Sequence, residues 1–191
     1  MIAAPPRILL SLIIVGLVQT AVLAHMVIDR VRLIGSGREI TLPITPVDPR
    51  DLFRGEYARL SYDIGRVPVR LLEGPRPRAS AAFYVVLEQK PGGIWQAAKM
   101  TRALPLEASP DRIVLKARAS NAWPQSGSDA VEVEVRYGIE SYFVPEGQGA
   151  KLEALAREKK LAALVAVDGK GNAALKGLLV DGVRQYDDPL F

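Results

Sequence analysis

The amino-acid sequence predicts a mainly β domain, a sandwich or partly open barrel of about eight strands with one short helix, behind an N-terminal transmembrane helix. Three observations carry that expectation. An apolar run from Ile8 to Ile28 opens the chain, with His25 as its sole ionisable residue. Alternating apolar and polar stretches, separated by Gly- and Pro-rich turns, fill most of the chain beyond that run. Only one later segment has helical periodicity, and no strand–helix–strand alternation signals a parallel sheet.

The apolar run has the length of a bilayer core, roughly 30 Å at ~1.5 Å per residue. Arg7 precedes it, and Asp29, Arg30 and Arg32 lie just after it. Two fates fit this pattern. One is a retained signal anchor; the other is cleavage after Ala24, since Val22-Leu23-Ala24 suits a small-residue site. The run continues through Met26, Val27 and Ile28, which a cleaved peptide would not need, and this favours retention. Counting arginines leaves orientation ambiguous, but a short leading tail before a long domain favours an N-in, C-out arrangement. The chain then divides into a cytoplasmic tail at 1–7, an anchor at 8–28, a connector at 29–37, a β domain at 38–183 and a tail at 184–191. Gly35-Ser36-Gly37 reads as a flexible break in the connector.

Strand patterns come in order. Ile40, Leu42 and Ile44 share one face, and Pro43 points to an edge position. Pro46 to Asp51 is turn chemistry. Residues 57–64 come next, with Leu60, Tyr62 and Ile64 on one face and Tyr57 on the other. Residues 65–79 read as a loop. Residues 81–89 and 94–103 flank Lys90-Pro91-Gly92-Gly93 as a hairpin, and 113–119 is a further strand. Val131, Val133, Val135 and Tyr137 alternate with Glu132, Glu134 and Arg136, a sheet with one dry and one charged face. Residues 150–160 form the amphipathic helix, its stripe Leu152, Leu155 and Ala156. A second hairpin, 162–167 with 173–180, closes the domain, and 184–191 has no clear element.

Composition bounds the chemistry. Apolar residues make up 49% and charged residues 24%, a globular balance. The 25 basic and 21 acidic residues are interleaved, so no nucleic-acid arm is expected. With no cysteine, disulfides, thiolate metal sites and thiol nucleophiles are excluded. The single histidine lies in the apolar run, so only carboxylates such as Asp48, Asp51 and Glu56 remain for a metal, and the interleaved Arg50 and Arg54 oppose that use. No cofactor is expected. A serine nucleophile would need a lysine base, with Ser36, Ser61 or Ser141 as candidates. Arg54-Gly55-Glu56 after a membrane anchor is similar in outline to bacterial signal peptidases, but Ser36 lacks their Ser-Met-Pro context. No catalytic residue is assigned, and a non-enzyme is expected. Tyr57, Trp123 and Tyr142 are the aromatic candidates for a ligand- or glycan-binding cleft.

Gly55, Tyr57, Leu60 and Tyr62 carry a spacing that resembles the GDYXXLXY family of bacterial membrane-anchored proteins, with Glu56 in place of the family's Asp. The likeness extends upstream to Asp48-Pro49-Arg50-Asp51-Leu52. It extends downstream to Tyr142-Phe143-Val144-Pro145-Glu146-Gly147 and to 166–182. The resemblance implies an inner-membrane protein of unassigned activity, anchored through residues 8–28, with its C-terminal domain in the periplasm and a multi-pass membrane protein as partner. The candidate recognition patch is Asp48, Arg50, Asp51, Arg54, Gly55, Glu56, Tyr57, Leu60 and Tyr62 with Tyr142, Pro145, Glu146 and Gly147. The alternative for these residues is structural. Leu60 and Tyr62 would be core, and the charges would tie the turn together.

Overall fold

The computed structural model describes residues 6–45, 53–54, 57–78, 81–105, 109–120, 123, 132–143 and 148–187. Helix α1 runs from Pro6 to Ser36. Its described side chains from Ile8 to Arg32 are all exposed, whereas Leu33 and Ile34 are half-buried. Among the described residues it is the one helix long and apolar enough to cross a membrane. The expected connector is thereby corrected: α1 continues through residues 29–36 instead of breaking at Gly35. Packing of its last turn against the sheet outweighs the flexibility of the glycines.

Thirteen strands come after it among the described residues, more than the expected eight. β1 spans Arg38–Thr45, β2 Phe53–Arg54, β3 Tyr57–Arg59, β4 Ser61–Tyr62 and β5 Arg66–Pro68. β6 spans Phe83–Gln89, β7 Trp95–Thr101, β8 Arg112–Ala119, β9 Glu132–Arg136 and β10 Ser141–Phe143. Helix α2 covers Gly149–Arg157; β11 (Leu161–Val167), β12 (Ala173–Val180) and β13 (Val183–Asp187) end the fold. The excess comes from strands of two or three residues, too short to show a period. The stretch read as one strand over 57–64 is two strands and a 3-10 turn, Asp63–Gly65. The supposed loop over 65–79 contains β5. The tail without a clear element contributes β13, which pairs with β12.

The strands form two five-stranded sheets, ordered β13-β12-β11-β1-β4 and β5-β9-β8-β6-β7, and a three-stranded sheet, β10-β3-β2. Alternation aims Ile40, Leu42 and Ile44 of β1 at the same core as Phe83, Val85 and Leu87 of β6 and Val133 and Val135 of β9. This single core bears out the mainly β expectation. β1 pairs with β11 over Arg38–Pro43 and with β4 only at Ile44–Thr45. Pro43, which has no N–H to give, therefore sits where β1 has a partner on one side, as an edge proline should. Helix α2 buries Leu152 and Ala156 against β1 and β11.

Two contacts stitch the sheets together. The Arg38 guanidinium donates to the carbonyls of Ser109 and Arg112, each at 3.0 Å, and to that of Pro110. It lies 5.5 Å from the Trp95 ring centroid, a cation–π distance. In the second contact, the Lys116 N–H donates to the Gly171 carbonyl at 2.7 Å. β8 has no β9 partner at that point, because their pairing spans only Arg118 and Ala119. The Asp168 carboxylate shapes the 168–172 turn by accepting from the amides of Lys170 and Asn172.

Gly171 has φ +81°. A Cβ there would lie 3.1 Å from the Lys116 nitrogen and 3.3 Å from the Val114 oxygen. Gly171→Ala is expected to destabilise the domain by about 1–3 kcal/mol. Chemical denaturation of the two proteins measures this, and equal midpoints would contradict it.

Candidate functional site

The two segments singled out in the sequence meet in the small sheet. Arg54 pairs with Tyr57, and β3 pairs with β10 so that Phe143 faces Tyr57, Tyr142 faces Ala58 and Ser141 faces Arg59. Arg54, residues 57–62 and residues 141–143 are thus brought together. Asp48, Arg50, Asp51, Gly55, Glu56, Pro145, Glu146 and Gly147 lie outside the described residues.

Leu60 and Tyr62 are buried, at 5% and 6% exposure, and Tyr142 at 2%. They hold the surface from beneath rather than presenting it. The Leu60 N–H donates to the Glu140 carbonyl at 2.8 Å. The Tyr62 hydroxyl donates to the Ile139 carbonyl at 2.8 Å, and the Tyr137 hydroxyl donates to the Ile64 carbonyl at 2.7 Å. Each chain segment sends its tyrosine to the other's backbone. Burial holds both phenols above their ordinary range, and the Glu140 charge adds to this.

Glu140 is the residue that sequence reasoning missed. Its carboxylate accepts from the N–H of Tyr137 at 2.5 Å and of Gly138 at 3.0 Å, closing the turn between β9 and β10. Gly138 occupies the left-handed region with φ +84°. A glycine ending the clearest strand, with an acid two residues later, was the available signal.

Above the buried tyrosines lies an open groove of about 600 Å³ whose lining includes Arg59, Arg66 and Arg136 with Asp63, Glu132 and Glu134. The Thr45 hydroxyl donates to the Asp63 carboxylate at 2.9 Å, tying the end of β1 to the groove floor. Among the described residues no ion pair engages Arg59, Arg66 or Arg136. Ser61 lines this groove, but no lysine does. Ser61 and Ser141 have no lysine amine within hydrogen-bond distance among the described residues. Trp123 packs on Phe83 with ring centroids 5.3 Å apart, against the core. Trp123 and Tyr142 therefore do not line a common cleft. The described residues contain no group of three or more metal-ligating side chains.

The fold and the site define a β domain carried behind an N-terminal helix long and apolar enough to span a membrane, with a charged groove over a tyrosine-locked floor. The chain matches the family model described as GDYXXLXY protein over residues 19–178, and it belongs to that family. Comparison with curated proteins and with solved structures gives no match.

Proposed function

We propose that this β domain lies on the extracytoplasmic side of a bacterial inner membrane and contacts an integral membrane or envelope protein through the surface of β3, β4 and β10. One observation carries the reading. The two family segments come together at the end of β1 remote from α1, beside a groove where Arg59, Arg66 and Arg136 are open to acidic groups. β1 acts as a spacer: from Arg38 to Thr45 it covers roughly 23 Å at ~3.3 Å per residue. On this reading the partner brings acidic groups to the three arginines, and basic ones to Asp63, Glu132 and Glu134 beside them, from an extramembrane loop or domain that rises clear of the lipid headgroups.

A photoreactive residue at the exposed Ser141 position should crosslink in intact cells to a membrane or envelope protein. Arg59→Glu with Arg66→Glu should abolish that product. Undiminished crosslinking from a folded double variant would refute the groove as the contact. The same cysteine-free chain carrying Val183→Cys should react with an impermeant maleimide added outside the inner membrane. Protection there would place the domain on the other side.

A further inference from the structure

A second groove, of about 570 Å³, opens on the outward face of β8 and β9. Its charged lining is Lys116, Arg118, Arg136 and Glu140. Arg118 and Arg136 stand directly opposite one another in the antiparallel ladder. Both are exposed, Arg136 between buried Val135 and Tyr137 and Arg118 between buried Ala117 and half-buried Ala119, so their side chains leave the same face, and Lys116 two residues before Arg118 leaves it too. Like charges placed directly opposite across two strands repel. One carboxylate, Glu140, stands against these three cations in the groove. Among the described residues no ion pair engages Lys116, Arg118 or Arg136, and both Glu140 oxygens already accept backbone amides. Ser120 also lines the groove, though its hydroxyl oxygen is buried beneath the surface.

Three cations against one carboxylate favour an anionic ligand. We infer that this groove binds a phosphate-type oxyanion, held by Arg118 and Arg136 from two sides with Lys116. Paired guanidinium forks match the tetrahedral oxygens of a phosphoryl group and recover the electrostatic cost of placing them together. The volume suits a small ligand. The phosphoryl group can come from a soluble phosphate compound or from a lipid headgroup. Arg136 and Glu140 also line the first groove, whereas Ala173 at the opposite wall shares a rung with Val167 and Arg38 at the base of α1; the groove thus runs back toward the helix, and a headgroup is within the chemistry to be tested.

The test uses the full chain in nanodiscs. In phosphatidylcholine discs, inorganic pyrophosphate is titrated calorimetrically; in a second set, phosphatidylglycerol replaces part of the lipid and the melting temperature is read. Saturable pyrophosphate binding that Arg118→Gln with Arg136→Gln abolishes identifies a soluble source. A melting temperature raised by phosphatidylglycerol, without pyrophosphate binding and lost in that variant, identifies the headgroup. Absence of both responses, or responses that persist in the variant, overturns the site. The ligand-free double variant should melt at or above the parent, because the opposed charges are gone. If it fails to fold, Arg118→Lys with Arg136→Lys decides. That variant keeps the charges without the forks and should bind roughly tenfold more weakly for each fork lost, and unaltered affinity would overturn the proposal.

Discussion

Tyr62→Phe is expected to destabilise the domain by about 1–3 kcal/mol, and Tyr62→Ala by about 3–5 kcal/mol. The first change removes only the hydroxyl and leaves the Ile139 carbonyl buried without its donor. The second also opens a cavity beneath the charged groove. Tyr137→Phe should match Tyr62→Phe, since its hydroxyl serves Ile64 in the same manner. Because the two bonds join the same pair of segments, the double variant should lose less than the sum of the single ones. The phenols also set an alkaline limit. Folding holds both above their ordinary value of 10.0, so the folded state keeps protons that the unfolded state surrenders. Stability is therefore full below pH ~10 and falls above it, by up to ~1.4 kcal/mol per pH unit for each tyrosine. Tyr62→Phe should halve that slope. Denaturant unfolding at pH 8 to 11.5 measures each effect, and a slope unchanged in both phenylalanine variants would contradict the account.

Gly37→Ala is expected to loosen the union of helix and domain, with a loss of about 1–3 kcal/mol. A Cβ at this position would meet the Leu33 carbonyl oxygen at 2.5 Å, the Val167 nitrogen at 3.0 Å and the Ala166 Cβ at 3.1 Å. The first two are backbone atoms and cannot rotate aside. The last turn of α1 must then lift from β11, breaking the 3.0 Å bond from the Gly37 N–H to the Leu33 carbonyl. Gly35 is the control: an added Cβ there meets nothing within 4 Å, so Gly35→Ala should be neutral or stabilising. Spin labels on cysteines at the exposed positions Val31 and Val183 would report the joint by pulsed electron resonance. Gly37→Ala should broaden their distance distribution and lower the melting temperature, and Gly35→Ala should do neither. Identical behaviour of the two alanine variants would rule out the rigid joint.

The parts of this fold that depend on a repeating pattern were readable in advance. β9 declares itself by strict alternation, α1 by sustained hydrophobicity, and Pro43 by its missing donor. Tyr62 could be placed in the core with a buried partner, because Leu60 and Tyr62 share a strand face. What stayed hidden depends on long-range contact. β3 and β10 are three residues each, and their pairing across more than eighty residues of chain is what makes β10 a strand. The exchange of hydroxyls between Tyr62 and Tyr137 joins positions far apart in sequence. Glu140 acts through two backbone amides, and only the glycine two residues before it hints at the turn that it closes. Gly37 resembled a flexible spacer because a glycine that permits close approach has the same symbol as one that permits motion.

The unbroken passage from α1 into β1 has a geometric result for the whole molecule. A helix advances ~100° per residue. With no slack between the helix and the sheet, the number of residues from a membrane-spanning segment to β1 would fix the compass bearing of the domain about the membrane normal. Inserting one residue among 29–32 would swing the arginine-lined groove by about a quarter turn relative to whichever face of the helix a neighbouring membrane helix grips. Inserting a heptad would nearly restore it. A membrane-spanning α1 would thus be a pointer as well as a tether.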